Sequence, residues 1–104
     1  ARGLSRDAKR LSDVRQLASA LELYFNDNNK YPNQLSDLLA AGQYNYLGAL
    51  PVPPTEFDGT CTAEQNKYTY TLTVPSEYRL TFCLGGKTGG YSAGVRTLSQ
   101  VGIQ

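Results

Sequence analysis

Few side chains in this sequence have the types and spacings that chemistry would need. The chain contains no histidine, which removes imidazole as a general base or a metal ligand. Its two cysteines, Cys61 and Cys83, are too few for a zinc site that has no histidine to complete it. No nucleophile stands next to a base, and no pair of carboxylates stands out. We therefore predict that the protein is not an enzyme and that it uses no cofactor.

The cysteines themselves are not spaced as a redox C-x-x-C pair. Their spacing favours one disulfide between Cys61 and Cys83 over two buried free thiols. Closing a loop of about twenty residues would stabilise the fold by roughly 3 kcal/mol in the chain-entropy estimate. Such a bond implies an oxidising compartment or the cell exterior.

Two loop segments could bind a ligand, but each has a simpler interpretation. Residues 84–90, LGGKTGG, end as a phosphate-binding loop does, yet the earlier glycine of that motif would fall at Thr81 and no helix follows. A loop between two strands explains the glycines better. Glu56, Asp58 and Glu64 could gather around calcium through oxygen ligands, although their spacing matches no recognised calcium loop. A solvated loop is the simpler expectation, and the sequence leaves metal binding by residues 56–64 open.

Basic residues are concentrated at the start of the chain. Half of them lie within the first fifteen positions: Arg2, Arg6, Lys9, Arg10 and Arg15. They could contact the phosphates of DNA or lipid. The net charge of +1 is too small for bulk attraction to nucleic acid, so an ordinary solvated helix face is the simpler interpretation.

Apolar residues recur every three or four positions over residues 4–28 and predict one long helix. The stripe consists of Leu4, Ala8, Leu11, Val14, Ala18, Leu21 and Phe25, widened by Leu17 and Tyr24. Two charged pairs, Asp7/Arg10 and Lys9/Asp13, are expected to give the solvent face weak support. Because the helix is long for so small a domain, its first turns are expected to project beyond the rest of the chain.

The polar run Asn26–Asn29 is predicted to end this helix, because asparagine tolerates left-handed conformations and Pro32 disfavours a helical residue before it. A short second helix is expected over residues 33–41, with Gly42 as its C-cap. Residues 43–60 contain several prolines and glycines and are predicted to form an irregular loop.

Side chains alternate with a period of two in the last third of the chain. Lys67–Val74 and Tyr78–Leu84 predict an antiparallel hairpin, and Tyr91–Ser99 predicts a third strand, which together give a sheet over residues 67–98. Residues 1–104 are therefore predicted to form one α+β domain. In it, a long N-terminal helix packs against a small antiparallel sheet of three to four strands.

The stretch RDAKRLSDVRQLASALELYFNDNNKYP, residues 6–32, resembles the family of type IV pilins and type II secretion pseudopilins. That family shows an AL-x-x-Y-x-x-D/N-N-x-x-YP pattern where its helix meets the globular domain. The matching residues here are Ala20, Leu21, Tyr24, Asp27, Asn28, Tyr31 and Pro32. The later stretch YLGALPVPP and the predicted strands are also similar to that family. The resemblance covers nearly the whole chain and is strongest from Asp13 to Pro32.

Membership would imply a pilin-like fold and a structural role in a bacterial surface filament, or fimbrium. It would also imply a leader removed by a dedicated peptidase, N-terminal methylation and about twenty apolar residues that span the membrane. We therefore expect this chain to be the soluble part of a longer protein, without the membrane-embedded half of its helix. The expected partners are other pilin subunits and an inner-membrane assembly platform, and the subunit would be stored in the inner membrane before assembly.

In this interpretation the helix stripe has two parts. The N-terminal part would pack against neighbouring subunits and comprises Leu4, Ala8, Leu11 and Val14. The C-terminal part would hold the sheet and comprises Leu17, Leu21, Tyr24 and Phe25. An isolated domain should then be monomeric.

Two alternatives remain open. Major pseudopilins carry an acidic calcium-binding loop near the C-terminus, whereas no Asp or Glu follows Glu77 here, which favours a type IV pilin. A minor pilin or pseudopilin of secretion or DNA uptake could instead act as a binding module at the filament tip. It would present loop 43–60 with loop 85–90, or the basic helix face, to DNA, a glycan or secreted cargo. A secreted domain unrelated to pili is the third hypothesis.

Overall fold

The computed structural model describes residues 2–39 and 46–104. In these residues, helix α1 spans Arg2–Asn28 and a short 3-10 helix spans Leu35–Leu39. The strands are β1 (Thr69–Val74), β2 (Glu77–Leu84), β3 (Gly94–Ser99) and β4 (Gly102–Ile103). They form one antiparallel sheet in the order β1-β2-β3-β4. The predicted α+β arrangement of one long helix and a small antiparallel sheet is confirmed.

Most element boundaries lie close to the predicted ones. The short helix is a 3-10 turn and not the α-helix expected over 33–41. Residues 40–45 lie outside the described part of the chain, and they include the predicted Gly42 cap and the start of loop 43–60. Residues 46–60 contain no helix or strand, as expected. The sheet continues past residue 98 because β4 pairs with the end of β3. With only two residues, β4 is too short for any period to be recognised.

The end of α1 has the left-handed geometry that the asparagine run predicted. Asn29 has a φ of 59°, and its N–H donates to the carbonyl of Phe25 at 2.8 Å. The Asn28 side-chain amide donates to the carbonyl of Tyr24 at 2.9 Å. These bonds satisfy carbonyls that a helix end otherwise leaves without partners.

The core lies between α1 and one face of the sheet. Alternate β2 residues Tyr78, Leu80, Phe82 and Leu84 are buried, as a strand with one covered face requires. The helix supplies buried residues that pack in the same cluster: Val14, Leu17, Ala20 and Leu21. Tyr24 and Phe25 are half-buried against it.

Tyr31 joins the end of the helix to the sheet. Its N–H donates to the carbonyl of Pro75 in the β1–β2 turn at 2.9 Å, and its hydroxyl donates to Glu22 at 2.8 Å. Its ring centroid lies 4.6 Å from that of Phe25 and 4.7 Å from that of Tyr78. The polar segment after the helix is therefore followed directly by an anchored aromatic residue.

Two buried tyrosines, Tyr31 and Tyr78, and two half-buried ones, Tyr68 and Tyr70, predict that alkali destabilises the fold. Burial raises the pKa of Tyr31 to about 12 and also raises the pKa values of Tyr68, Tyr70 and Tyr78. A pKa raised in the folded state stabilises the protein below the unfolded value of about 10, and this contribution is lost as the pH rises above it. We expect the free energy of unfolding to fall steeply above about pH 10. Guanidinium titrations at successive pH values measure this, and a flat profile up to pH 11.5, on the order of one unit beyond that value, would contradict it.

Candidate functional site

A group of charged side chains joins the N-terminal half of α1 to a loop before the sheet. This ion cluster consists of Arg6, Asp7, Arg10 and Asp58. Arg6 binds the Asp58 carboxylate with two donors, Nε at 2.9 Å and Nη2 at 2.6 Å. Nη1 of Arg10 donates to Asp7 Oδ1 at 2.7 Å and to Asp58 Oδ2 at 2.8 Å. The Arg10 and Asp7 residues are only 1% and 3% exposed, so the cluster includes a buried ion pair.

Backbone groups from two loops complete the cluster. The N–H groups of Gly85 and Gly86 donate to the two carboxylate oxygens of Asp7, each at 2.9 Å. Nη2 of Arg10 donates to the carbonyl of Glu56 at 2.5 Å. The glycines of LGGKTGG thus do bind an anion, as consecutive backbone N–H groups can. The anion is a carboxylate of the chain's own helix.

The cluster depends on a disulfide-anchored turn. Cys61 and Cys83 form the predicted disulfide, with their Cα atoms 6.0 Å apart. The Cys61 N–H donates to the carbonyl of Asp58 at 3.0 Å and closes the turn that carries the Asp58 carboxylate. Strand β1 pairs with β2 only as far as Thr81, so Cys83 lies beyond the last β1 partner. The disulfide thus holds Cys61 against the end of β2, close in sequence to Gly85 and Gly86, which bind Asp7.

Two glycines allow this turn to approach the sheet closely. A Cβ atom added to Gly59, whose φ is +60°, would lie 2.3 Å from the carbonyl oxygen of Gly85. A Cβ atom added to Gly85 would lie 2.3 Å from the Cβ of Asp58. Only glycine fits this contact without a shift of the backbone.

The charges of the cluster support one another. Hydrogen bonding from Arg6, reinforced by Arg10, holds the pKa of Asp58 well below its usual range against the opposing effect of burial. The same hydrogen bond raises the pKa of Arg6. Asp58 therefore stays ionised at neutral pH and acts as a counter-ion, not as a proton acceptor.

A second polar contact continues along the same side of the helix. Asp13 Oδ2 accepts hydrogen bonds from Lys9 Nζ at 2.6 Å and from the hydroxyl of Tyr68 at 2.8 Å. Lys9 Nζ also donates to the carbonyl of Val52 at 2.8 Å. Asp13 is 9% exposed. This part of the helix is thus attached by polar contacts to the loop before the sheet and to Tyr68, the residue before β1.

The structure corrects several expectations for the helix. The Asp7/Arg10 pair does not lie on a solvent face, because the two loops cover it, and Asp13 is buried beside Tyr68. For the same reason the first turns of α1 do not all project from the domain. Leu11 and Val14, assigned to contacts between subunits, are 4% and 0% exposed and belong to the interior of this chain.

The other helix residues predicted to pack against subunits are exposed, and those predicted to hold the sheet are buried or half-buried. Leu4 is 64% exposed and Ala8 is also exposed, so both are accessible to another molecule. Leu17 and Leu21 are buried in the cluster that contains the sheet residues, with the aromatic pair Tyr24 and Phe25 half-buried beside them.

The ion cluster contains residues of two proposed ligand sites, the calcium site in loop 56–64 and the DNA-binding face of the helix. Asp58 faces the arginines of α1, and Glu64 instead pairs with the exposed Lys67 at 3.1 Å, so the acidic residues of loop 56–64 do not converge. Across residues 2–39 and 46–104, no three acidic or cysteine side chains come close enough to hold a metal ion. Two residues of the basic helix face, Arg6 and Arg10, are bonded to Asp58, whereas Lys9 and Arg15 are exposed.

The sequence does contain a signal for the true buried face of α1. Its members, spaced alternately three and four positions apart, are Asp7, Arg10, Val14, Leu17, Leu21 and Tyr24. A search for apolar residues alone shifts the stripe onto Leu4 and Ala8, because two members of the buried face are charged. Asp7 and Arg10 continue the three- and four-residue spacing of the buried apolar residues, and this continuation is the signal that indicates a buried ion pair.

The ion cluster predicts how the contribution of Asp58 to the free energy of unfolding changes as the pH falls. We expect Asp58→Asn to reduce the free energy of unfolding at neutral pH. A pKa lowered in the folded state stabilises the protein above the unfolded value of about 3.9 and loses this effect as the pH falls below it. The difference between the two proteins should therefore be constant from about pH 5 to 8 and shrink below about pH 4. Urea titrations at each pH measure it, and a difference that grows on acidification would contradict this assignment.

No helix in the described residues has a stretch that is both long and apolar enough to cross a membrane. Comparison of the chain with protein-family models, with curated proteins and with solved structures finds no match. The resemblance to pilins therefore rests on the residues quoted for it and on no detected relative.

Proposed function

We propose that this chain is the folded domain of a structural subunit of a type IV pilus or a pilus-like filament. The observation that carries the proposal is a long helix attached to a small antiparallel sheet along one side only. Helix α1 has 27 residues, about 40 Å at 1.5 Å per residue. A subunit of this shape can bind neighbours through its helix and present its sheet outward.

The accessible side of α1 supports the same proposal. Leu4 is 64% exposed, Leu23 is 56% exposed and Ala8 is also on the surface. Leu11 and Val14 are not included, because the chain itself buries them. The proposed contact with neighbouring subunits thus consists of Leu4 and Ala8 at one end and Leu23 further along.

The test uses the full-length protein, expressed from its natural gene in the organism that produces it. We expect the double variant Leu4→Asp, Ala8→Asp to be made but to be absent from surface filaments labelled with an antibody against this domain. Its isolated domain should melt within a few degrees of the parent, since exposed substitutions usually change stability by less than about 0.5 kcal/mol. Sedimentation should show that the isolated parent domain is a monomer.

Val101→Asp is a matched control, because Val101 is 72% exposed and lies between β3 and β4, away from α1. That variant should enter filaments normally. Surface filaments without this chain, or ordered filaments formed by the isolated domain, would contradict the proposed role.

A binding module at a filament tip is a second candidate. It is favoured by the contact that brings Gly59 against Gly85, which joins loop 46–60 to loop 85–90 in one surface. Phe57, 52% exposed, lies in the first of these loops. If this surface binds a glycan or secreted cargo, Phe57→Ser should abolish binding to a glycan array or to secreted proteins without changing the melting temperature. Unchanged binding would remove this candidate.

A further inference from the structure

We infer that the Cys61–Cys83 disulfide controls the attachment of the N-terminal half of α1 to the rest of the domain. With the bond intact, residues 3–13 are attached to the loops. With the bond reduced, they separate while residues 17–25 stay packed on the sheet. This inference is independent of the proposed function, because it concerns only contacts within the chain.

The loop that carries Asp58 has few other attachments to the sheet. Hydrogen bonds made by residues 59–66 stay within the segment 54–67, as in the bonds from Asn66 to the Pro54 carbonyl and between Thr62 and Gln65. Cys83 lies past the last residue of β2 that pairs with β1. In the described part of the chain, this loop is therefore connected to the end of strand β2 by the disulfide and by the packing of Asp58 and Gly59 on Gly85, and the disulfide is the covalent connection.

The N-terminal half of α1 depends on that loop. Asp58 accepts from Arg6 and from Arg10, the Glu56 carbonyl accepts from Arg10, and the Val52 carbonyl accepts from Lys9. The other contacts of this half are the bonds from Gly85 and Gly86 to Asp7, the bond from the Tyr68 hydroxyl to Asp13, and the side chain of the buried Leu11.

The C-terminal half of α1 is held in a different way. Val14, Leu17 and Leu21 are 0%, 1% and 0% exposed and belong to one apolar cluster with Leu80 and Phe82. Leu47 of the loop before the sheet belongs to the same cluster, but residues 54–67 and the disulfide do not, so the packing can persist without them.

The step that releases the loop is a two-electron reduction by a dithiol. One thiolate of the reagent attacks a sulfur of the Cys61–Cys83 bond and expels the other cysteine as a thiolate, which leaves a mixed disulfide. The second thiolate of the reagent then attacks the mixed disulfide and expels the remaining cysteine, so the reagent becomes a cyclic disulfide and its two protons end on the two cysteine thiols. The loop then gains conformational freedom, and Asp58 is no longer held against the arginines. Arg10 keeps only Asp7 as a counter-ion in a buried position, which favours its transfer to water with the first turns of the helix.

Amide hydrogen exchange read by mass spectrometry tests this on the whole chain, with and without dithiothreitol. We expect exchange in residues 3–13 to become at least about tenfold faster on reduction, while residues 17–25 and β2 change by less than about threefold. Unchanged exchange in residues 3–13 would overturn the inference. Equal acceleration in both halves of the helix would overturn it as well, because the bond would then support the whole domain.

A variant with the disulfide intact tests whether the coupling runs through Asp58. Asp58→Asn should accelerate exchange in residues 3–13 in the oxidised protein, and reduction of that variant should add little. The matched control is Glu64→Gln, which neutralises an 83% exposed side chain in the same loop and should exchange like the parent. Normal protection of residues 3–13 in oxidised Asp58→Asn would show that the disulfide does not act through the ion cluster.

Discussion

Replacement of Asp7 by alanine is expected to lower the free energy of unfolding by about 4 kcal/mol. The change removes one of the two carboxylates that Arg10 contacts, the one at 2.7 Å, in a position where Arg10 is only 1% exposed. It also removes the acceptor of two backbone N–H groups, those of Gly85 and Gly86. The buried guanidinium would keep only Asp58 as a counter-ion, and the two N–H donors would lose their acceptor. For a domain stable by about 5–15 kcal/mol, this is a large fraction of the total.

Urea unfolding followed by circular dichroism at neutral pH measures this effect. Asp7→Asn should fall between the parent and Asp7→Ala, because its amide keeps one acceptor but not the charge. The control Glu64→Ala removes a carboxylate from an exposed ion pair and should change stability by less than about 1 kcal/mol. A loss below about 1 kcal/mol for Asp7→Ala would contradict the buried ion pair.

Gly85→Ala is expected to destabilise the domain by about 3 kcal/mol. The new Cβ would lie 2.3 Å from the Cβ and 2.9 Å from the carbonyl carbon of Asp58. Both atoms belong to a segment that the disulfide at Cys61 holds in place. The backbone must therefore shift, and the shift moves Asp58 away from the arginines it neutralises.

The neighbouring glycine provides a matched control for this prediction. A Cβ atom on Gly86 would meet only Asp7 Oδ2 at 3.8 Å, an ordinary contact. Gly86→Ala should consequently stay within about 1 kcal/mol of the parent in the same thermal and urea titrations. Equal effects of the two substitutions would mean that the close approach between the loop and β2 is not what requires glycine at position 85.

The helix and the first two strands could be predicted from patterns among neighbouring residues. The three- and four-residue spacing of α1 and the two-residue alternation of β1 and β2 are properties of neighbouring residues, so the sequence displays them directly. The left-handed Asn29 and the loop built on glycines are also local, since each follows from the conformations that its own residue tolerates. The 3-10 turn at Leu35–Leu39 was missed because its apolar pattern is too short to separate it from an α-helix.

Residue patterns alone establish the long helix, the β1–β2 hairpin and a third strand in their order, and they favour the pairing of the two cysteines. Which side of α1 is buried near its start follows only from contacts between distant parts of the chain. Local reasoning assigns Asp7 and Arg10 to solvent because an isolated charge is costly to bury. That cost is offset here by Asp58, 48 positions from Arg10, and by the N–H groups of Gly85 and Gly86, 78 and 79 positions from Asp7. Partners so distant in sequence become neighbours only once the sheet, the turn and the disulfide are in place.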